Sequence, residues 1–242
     1  MIVLFTDFST RDPYVGQVKA RLAAEAPGVP LIDLLHEVPD FNPHAGAHLL
    51  AALAGGLPPG AVFLAVVDPG VGMPRGTVVM QAGAHWYVGP DNGLLSVVAA
   101  RAPDVRLWRI GWRPEGLSAT FHGRDLFAPI AAALARGAFP HDRLEAVDAL
   151  GVEFDAGDLP RIIYIDHYGN AWTGVRGEPP AARVSAAGVE FAPGDCFGAV
   201  EKGRGLWFVN SVGLIELAVN RGSAAATYGL RVGDRVDVKR VN

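Results

Sequence analysis

Two aspartates in the first third of the chain stand where an α/β protein keeps its chemistry. Asp7 follows the apolar run Ile2–Phe5, at Thr6-Asp7, and Asp68 follows the run Val62–Val67, at Asp68-Pro69-Gly70. Ligands of open α/β sheets bind outside the carboxyl ends of the strands, so both carboxylates are expected to face one crevice. A carboxylate there can accept from both hydroxyls of a sugar diol. Each aspartate alone could equally cap a helix or close a turn. Asp68 and Arg75, seven apart around a Pro/Gly turn, read on residue type as a surface ion pair. On the same footing His122 reads as a hydrogen-bonded loop histidine.

Other candidates are weaker. His44 and His48 share a helix face at i, i+4, a zinc-like spacing. No adjacent glutamate completes H-E-x-x-H and no third ligand is evident, so a solvated face is expected. No G-x-G-x-x-G follows the first strand and no G-x-x-x-x-G-K-[ST] occurs, which argues against a dinucleotide or nucleoside-triphosphate cradle. Asp91-Asn92-Gly93 reads as a turn, and Arg124-Asp125 as support for the His122 loop and cap of the next helix. Trp86, Trp108, Trp112 and Trp207 read as packing residues. Cys196 has no partner that would make it a nucleophile.

The elements that must position these groups alternate. Ile2–Phe5, Leu31–Leu35 and Val62–Val67 read as strands, and Tyr14–Ala26 and a segment from about Pro43 as helices. Thr77–Gln81 and Trp86–Val88 read as a strand pair joined through Gly83, and Leu94–Ala102 and Leu126–Arg136 as further helices. This predicts an α/β domain with a mostly parallel sheet over residues 1–150. The pattern changes over a linker at 151–160. From 161 to 242 the segments are short and β-rich, predicting a small all-β, barrel-like domain.

Composition bounds the rest. Half of the 242 residues are hydrophobic, 19% are charged, and the formal net charge is -4. Without a Lys/Arg-rich run, nucleic acid is not the expected partner. The single cysteine excludes an intrachain disulfide and a cysteine-based zinc site, and fits a reducing, cytoplasmic setting. The N-terminus lacks the features of a signal peptide. The alanine-rich stretch Ala45–Leu57 is too short to span a bilayer, so no membrane partner is expected. The three lysines and scarce Asn and Gln fit either a heat-adapted source or a GC-rich genome.

Six segments carry a family resemblance: FTDFSTRDPYVGQVKA (Phe5–Ala20), VVDPGVGMPRG (Val66–Gly76), GPDNGLL (Gly89–Leu95), TFHGRDLFAP (Thr120–Pro129), IDHYGNAWT (Ile165–Thr173) and NSVGLIELAVNRGSAAA (Asn210–Ala226). In this order they resemble the S-adenosylmethionine hydroxide adenosyltransferases, relatives of the fluorinase and chlorinase that make halogenated adenosine. The resemblance implies an N-terminal α/β domain followed by a small β-barrel. It also implies a homotrimer whose active sites lie between one subunit's N-domain and a neighbour's C-domain.

By the same resemblance Asp7 would bind the ribose hydroxyls, and Phe41 would pack near the ribose. Asp166 would accept from the methionine ammonium with Ser211 helping, and Asn170 would read the adenine edge. Tyr168 and Trp172 would supply aromatic surface there, and backbone groups near Asn220 and Arg221 would complete adenine recognition. Asp68, Arg75 and His122 match the Asp-Arg-His set of the hydroxide-transferring branch. The halogenating branch carries a tyrosine where Asp68 stands and a halide-binding serine near Gly123. Water is therefore the expected nucleophile, S-adenosyl-L-methionine the substrate, and no metal or other cofactor is required. Halide adenosyl transfer, or a non-catalytic module that binds an adenosyl ligand, are the alternatives.

Overall fold

A computed structural model describes residues 1–177 and 182–240; residues 178–181, 241 and 242, all within the expected C-terminal domain, lie outside the described residues. The chain divides into two compact units, Met1–Ala51 with Leu57–Ala156, and Ala52–Gly56 with Gly157–Asn242.

The first unit is built on a seven-stranded sheet. Its strands are β1 (Ile2–Thr6), β2 (Leu31–Leu35), β3 (Val62–Val66), β4 (Gly76–Ala82), β5 (His85–Asp91), β6 (Val105–Ile110) and β7 (Leu144–Val147). They lie in the order β2-β1-β3-β5-β4-β6-β7. β1 and β3 are wholly buried, as apolar strands covered on both faces must be. One face packs Ile2, Leu4, Val62 and Leu64 against Val18 and Leu22 of helix α1 (Pro13–Glu25) and Ile130 and Leu134 of helix α4 (Ala128–Ala135). The alternate residues Val3, Phe5, Phe63 and Ala65 point to the other face and are equally buried. Two helices absent from that cluster are α2 (Pro43–Ala54) and α3 (Ser96–Arg101).

The sheet is mixed, not mostly parallel. β1 pairs in parallel with β2 and β3, and β3 with β5. β4 is antiparallel to β5 and β6, and β6 is antiparallel to β7. The cause is chain length: Gly83-Ala84 alone connects β4 to β5, whereas a parallel pair needs a crossover of a dozen residues or more. Gly83 supplies the positive φ of that turn. β6 and β7 were not expected and extend the sheet past the hairpin.

The helix expected over Leu126–Arg136 starts earlier. A π-helical turn, Gly123–Phe127, runs directly into α4. Such turns are frequent at functional sites, and this one follows His122 immediately.

Among the described residues, the second unit also holds seven strands. They are β8 (Leu159–Ile165), β9 (Ala171–Arg176), β10 (Ala182–Ala186), β11 (Val189–Pro193), β12 (Gly205–Val209), β13 (Leu214–Val219) and β14 (Val236–Arg240). Their order is β14-β10-β11-β12-β13-β9-β8. The two ends of the sheet nearly meet: Ile162 N donates to Asp234 O at 2.9 Å and Gly233 N to Ile162 O at 2.8 Å. The result is a nearly closed, barrel-like sheet around Ile162, Val175, Phe191, Trp207 and Leu217. One short helix, α5 (Ala224–Tyr228), is capped by Ser223, whose hydroxyl accepts from Ala226 N. No helix among the described residues is long and apolar enough to cross a membrane.

Candidate active site

The loop from the end of β3 to the start of β4 carries Asp68 and Arg75. Its first carbonyl, Val67 O, accepts from Asn92 Nδ2 at 2.8 Å, which ties the Asp91-Asn92-Gly93 turn to the Asp68 backbone. Farther along, a Cβ at Gly72 would stand 2.3 Å from Ala119 O, and its φ is +77°. Only glycine lets this loop press against the backbone that leads to His122.

Arg75 closes the loop back on Asp68. Its Nε donates to Asp68 Oδ1 at 3.0 Å and its Nη2 to Asp68 Oδ2. The same Nη2 faces His122 Nδ1 at 3.0 Å. The side chains of Arg75 and Asp68 are 11% and 4% exposed, and His122 is 8% exposed. The three groups separated by 7 and 47 positions thus meet in one buried cluster. A surface ion pair, as residue type alone suggested, would be exposed and worth little. A buried pair must instead be held by further hydrogen bonds to offset desolvation.

Arginine has no acceptor, so Arg75 donates and His122 Nδ1 accepts. The imidazole is therefore neutral with its proton on Nε2. Burial first, then the Arg75 charge, lowers the His122 pKa below its ordinary value; the Asp68 charge opposes this.

A cavity of about 1000 Å³ opens beside the cluster. Asp7 and Asp68 both line it, the convergence expected from their strand-end positions, together with Phe8, Tyr14, Phe41 and Phe121. Arg75 and His122 are not among the lining residues, so Asp68 is the member of the cluster that faces the cavity. The wall carries five carboxylates (Asp7, Asp12, Glu37, Asp40, Asp68) against two guanidiniums (Arg11, Arg124). That excess favours a cationic ligand.

Asp7 Oδ2 accepts from Phe41 N at 3.3 Å. Burial raises the Asp7 pKa; backbone hydrogen bonds, chiefly from Phe41, counter it, and the Asp40 and Asp68 charges add to it. Phe41 itself is 75% exposed. Ser9, Phe41 and Arg221 adopt positive φ, at 58°, 56° and 55°. Non-glycine residues seldom do so, and such strain gathers at functional sites.

The second unit assembles the remaining candidates. Asp166 Oδ1 accepts from Asn170 N at 2.8 Å and Oδ2 from Asn170 Nδ2 at 2.9 Å. A Cβ at Gly169 would collide with Ser223 Oγ, 1.9 Å away, so glycine is required in that tight loop. Tyr168 is exposed. Trp172 lies in β9, and its buried Nε1 has no hydrogen-bond partner. Ser211 stands exposed in the turn between β12 and β13. Asn220 is engaged internally: its Nδ2 donates to Val200 O, its N–H to Arg204 O, and its carbonyl accepts from Gly203 N. Arg221 follows in the left-handed region.

The burial of Glu216 and of His48 goes beyond the sequence reading. Glu216, 5% exposed in β13, accepts from Asn210 Nδ2 at 3.2 Å, and burial pushes its carboxyl up to about 7. The alternation of L-I-E-L-A-V gave no warning, because this strand is buried throughout. His48 is 2% exposed, not on a solvated face, and neither ring nitrogen has a hydrogen-bond partner. Its alanine and leucine neighbours in α2 were the available signal. Among the described residues no group of three or more His, Cys, Asp or Glu could hold a metal. Asp125 does not cap by its side chain; it pairs with Arg124 and accepts from Ser118 N, bracing the stretch before His122.

Comparison with known proteins places these features in a wider set. Residues 2–144 match the model of the SAM hydroxide adenosyltransferase N-terminal domain and residues 160–237 that of the C-terminal domain. The chain is 38% identical to the (R)-S-adenosyl-L-methionine hydrolase of Thermus thermophilus, with 96% of each chain covered. It is also 38% identical to the enzyme of that name from Salinispora tropica, covering 96% of this chain and 95% of the relative. Likeness to a fluorinase of Nocardia brasiliensis is lower, 25% over 99% of this chain and 96% of the relative. Among solved structures, an uncharacterised conserved protein of Thermotoga maritima superposes with a TM-score of 0.88 at 32% identity, covering 99% of this chain and 100% of that one.

Proposed function

The chain belongs to the SAM hydroxide adenosyltransferase family and is an enzyme, and on that premise we propose that it hydrolyses S-adenosyl-L-methionine to adenosine and L-methionine. The observation that carries the proposal is the buried contact of Arg75 with both Asp68 and His122, with Asp68 facing a cavity rich in carboxylates.

The sulfonium makes methionine a good leaving group without a general acid. The difficulty is the nucleophile, since free water has a pKa of about 15.7. In the proposed step a water oxygen attacks C5′ of the ribose. The C5′–S bond breaks, its electron pair goes to sulfur, and neutral methionine departs. One proton leaves the water, so cation plus water yields adenosine, methionine and a proton.

Asp68 is the group placed to accept from that water, since it faces the cavity. Arg75 holds it in one orientation and supplies the positive charge that favours hydroxide character. His122 serves as the fixed acceptor that keeps Arg75 in place. With Nδ1 occupied and Nε2 protonated, it is not drawn as the base. Asp7 would hold the ribose diol, and fixing nucleophile, C5′ and sulfur in line can contribute roughly 7–11 kcal/mol.

On this proposal the second unit's set, Asp166, Asn170, Ser211 and their neighbours, forms the amino-acid and adenine subsites. The protein would work as a cytoplasmic homotrimer with shared sites. The family resemblance supports both points, and sedimentation would measure the assembly directly. No cofactor is invoked. The relatives' names specify the (R) sulfonium epimer, and we carry that preference to this chain.

Incubation with S-adenosyl-L-methionine in the presence of chloride or fluoride, followed by chromatography, tests the assignment. Adenosine and methionine should accumulate at equal rates. A 5′-halogenated nucleoside as the main product would place the chain with the halogenating relatives. Tight binding without turnover would make it a non-catalytic module.

A further inference from the structure

Beneath Asp7 runs a chain of side-chain contacts drawn from three elements. Thr6 is 1% exposed and His36 is 4% exposed. Thr6 Oγ1 lies 2.8 Å from His36 Nδ1. His36 Nε2 lies 3.1 Å from Asp33 Oδ1, and Lys19 Nζ donates to Asp33 Oδ2 at 2.8 Å. The carboxylate can only accept, so Nε2 donates to Asp33, and Nδ1 shares the remaining hydrogen bond with the threonine hydroxyl, which can donate or accept.

The threonine oxygen does a second thing. It accepts from Phe8 N at 3.3 Å, a bond that closes over Asp7. His36 also reaches the far side of the same turn, because its backbone carbonyl accepts from Ser9 N at 2.8 Å. Ser9 has a φ of 58°, a conformation that needs such a hold. The carbonyl of Thr6, finally, accepts from Val38 N at 3.2 Å. Residues 6 and 9, on either side of Asp7, are thus both fastened to the segment that follows β2.

We infer that Thr6 and His36 are positioning residues that aim the Asp7 carboxylate for recognition of a vicinal diol. The inference rests on the reading that Asp7 takes the ribose. Neither residue lines the cavity, so both act through Asp7. The Thr6–His36 end of this network is buried, and a buried, hydrogen-bonded polar pair helps to fix one geometry.

The test is diol discrimination, measured by calorimetry with adenosine and 2′-deoxyadenosine on the full chain. The wild type should bind adenosine more tightly. Thr6→Val keeps the side-chain shape but removes the hydroxyl, and its preference for adenosine should shrink by about fivefold or more, the scale of one hydrogen bond. Thr6→Ser restores the hydroxyl and should restore the preference. Asp33→Asn, at a half-exposed position, should reduce the preference less. KM for S-adenosyl-L-methionine should follow the same order, with kcat moving less.

A wild type indifferent to the missing hydroxyl would overturn the assignment of Asp7 to the ribose. A discriminating wild type whose preference survives in both Thr6→Val and Asp33→Asn would overturn the positioning role alone. Should Thr6→Val fail to fold, Asp33→Asn decides the matter in the same terms.

Discussion

Arg75 Nη2 stands 3.0 Å from His122 Nδ1 while the same guanidinium grips both oxygens of Asp68. This single relationship fixes a donor, an acceptor and a tautomer. It makes Arg75 the hub of the cluster, with Asp68 and His122 each held by it.

From that hub follows an ordering among variants at position 122. An asparagine can place its Oδ1 near the site of Nδ1 and still accept from Arg75, whereas alanine cannot. His122→Asn should therefore keep kcat within about tenfold of the wild type, and His122→Ala should lose about a hundredfold or more, the range assigned to a displaced general-base group. Steady-state kinetics on both variants checks the order. Equal losses would show that the imidazole does more than hold Arg75.

Arg75→Lys should behave as a severe change. A lysine ammonium cannot present the planar fork that meets two carboxylate oxygens and an imidazole together. A kcat loss of about a hundredfold is expected, similar to that of Asp68→Asn, with KM changed little in either. A double variant should lose no more than the worse single one if the two act as a unit.

Much of this site was legible in the sequence, for a definite reason. The β-branched runs Ile2–Phe5 and Val62–Val67 end abruptly at aspartates, and strand ends are where α/β sheets place ligands. The contact of Arg75 with His122 was not legible from local pattern, because 47 residues separate them. The mixed sheet was missed because strand direction depends on connection length. Val105–Ile110 gave no clean strand signal, because its two arginines, three positions apart, break the two-residue alternation of a half-buried strand. The i, i+4 spacing of His44 and His48 marks a shared helix face, and only the alanine-rich surroundings of His48 signal that it is buried.

Asp7 sets function against stability. Burial raises its folded pKa above the ordinary aspartate value, so the folded state binds the proton more readily than the unfolded chain. Ionised Asp7 therefore costs stability at neutral pH, and the cost is relieved as pH falls through the raised pKa. Asp7→Asn should raise the thermal midpoint of the ligand-free protein at pH 7. It should also raise KM by about tenfold or more, because the carboxylate's charged hydrogen bonds are lost. Scanning calorimetry and kinetics on the same preparation measure both.

His48 and Glu216 bend the stability curve in opposite senses. Burial lowers His48 from 6.5 to about 4, with the Arg101 and His44 charges adding; the nearby Asp155 backbone opposes weakly without meeting hydrogen-bond geometry. The unfolded chain then binds the proton first, so stability falls as pH drops from 6.5 through about 4, by up to about 3 kcal/mol. His48→Leu should flatten that acid limb.

Glu216, raised from 4.5 to about 7, works the other way. The folded state holds the proton, so stability is lost as pH rises from 4.5 through about 7, again on the order of 3 kcal/mol. Glu216→Gln should raise the thermal midpoint at pH 8 and leave it unchanged at pH 4. Denaturant titrations at the two pH values separate the effects, which sit in different units of the chain.

The origin of the new oxygen is the most direct measurement of all. Turnover in oxygen-18 water, with mass analysis of the nucleoside, should place one heavy oxygen on the 5′-hydroxyl of adenosine and none on methionine. Adenosine lacking the label, or free adenine from glycosidic cleavage, would contradict attack by solvent at C5′.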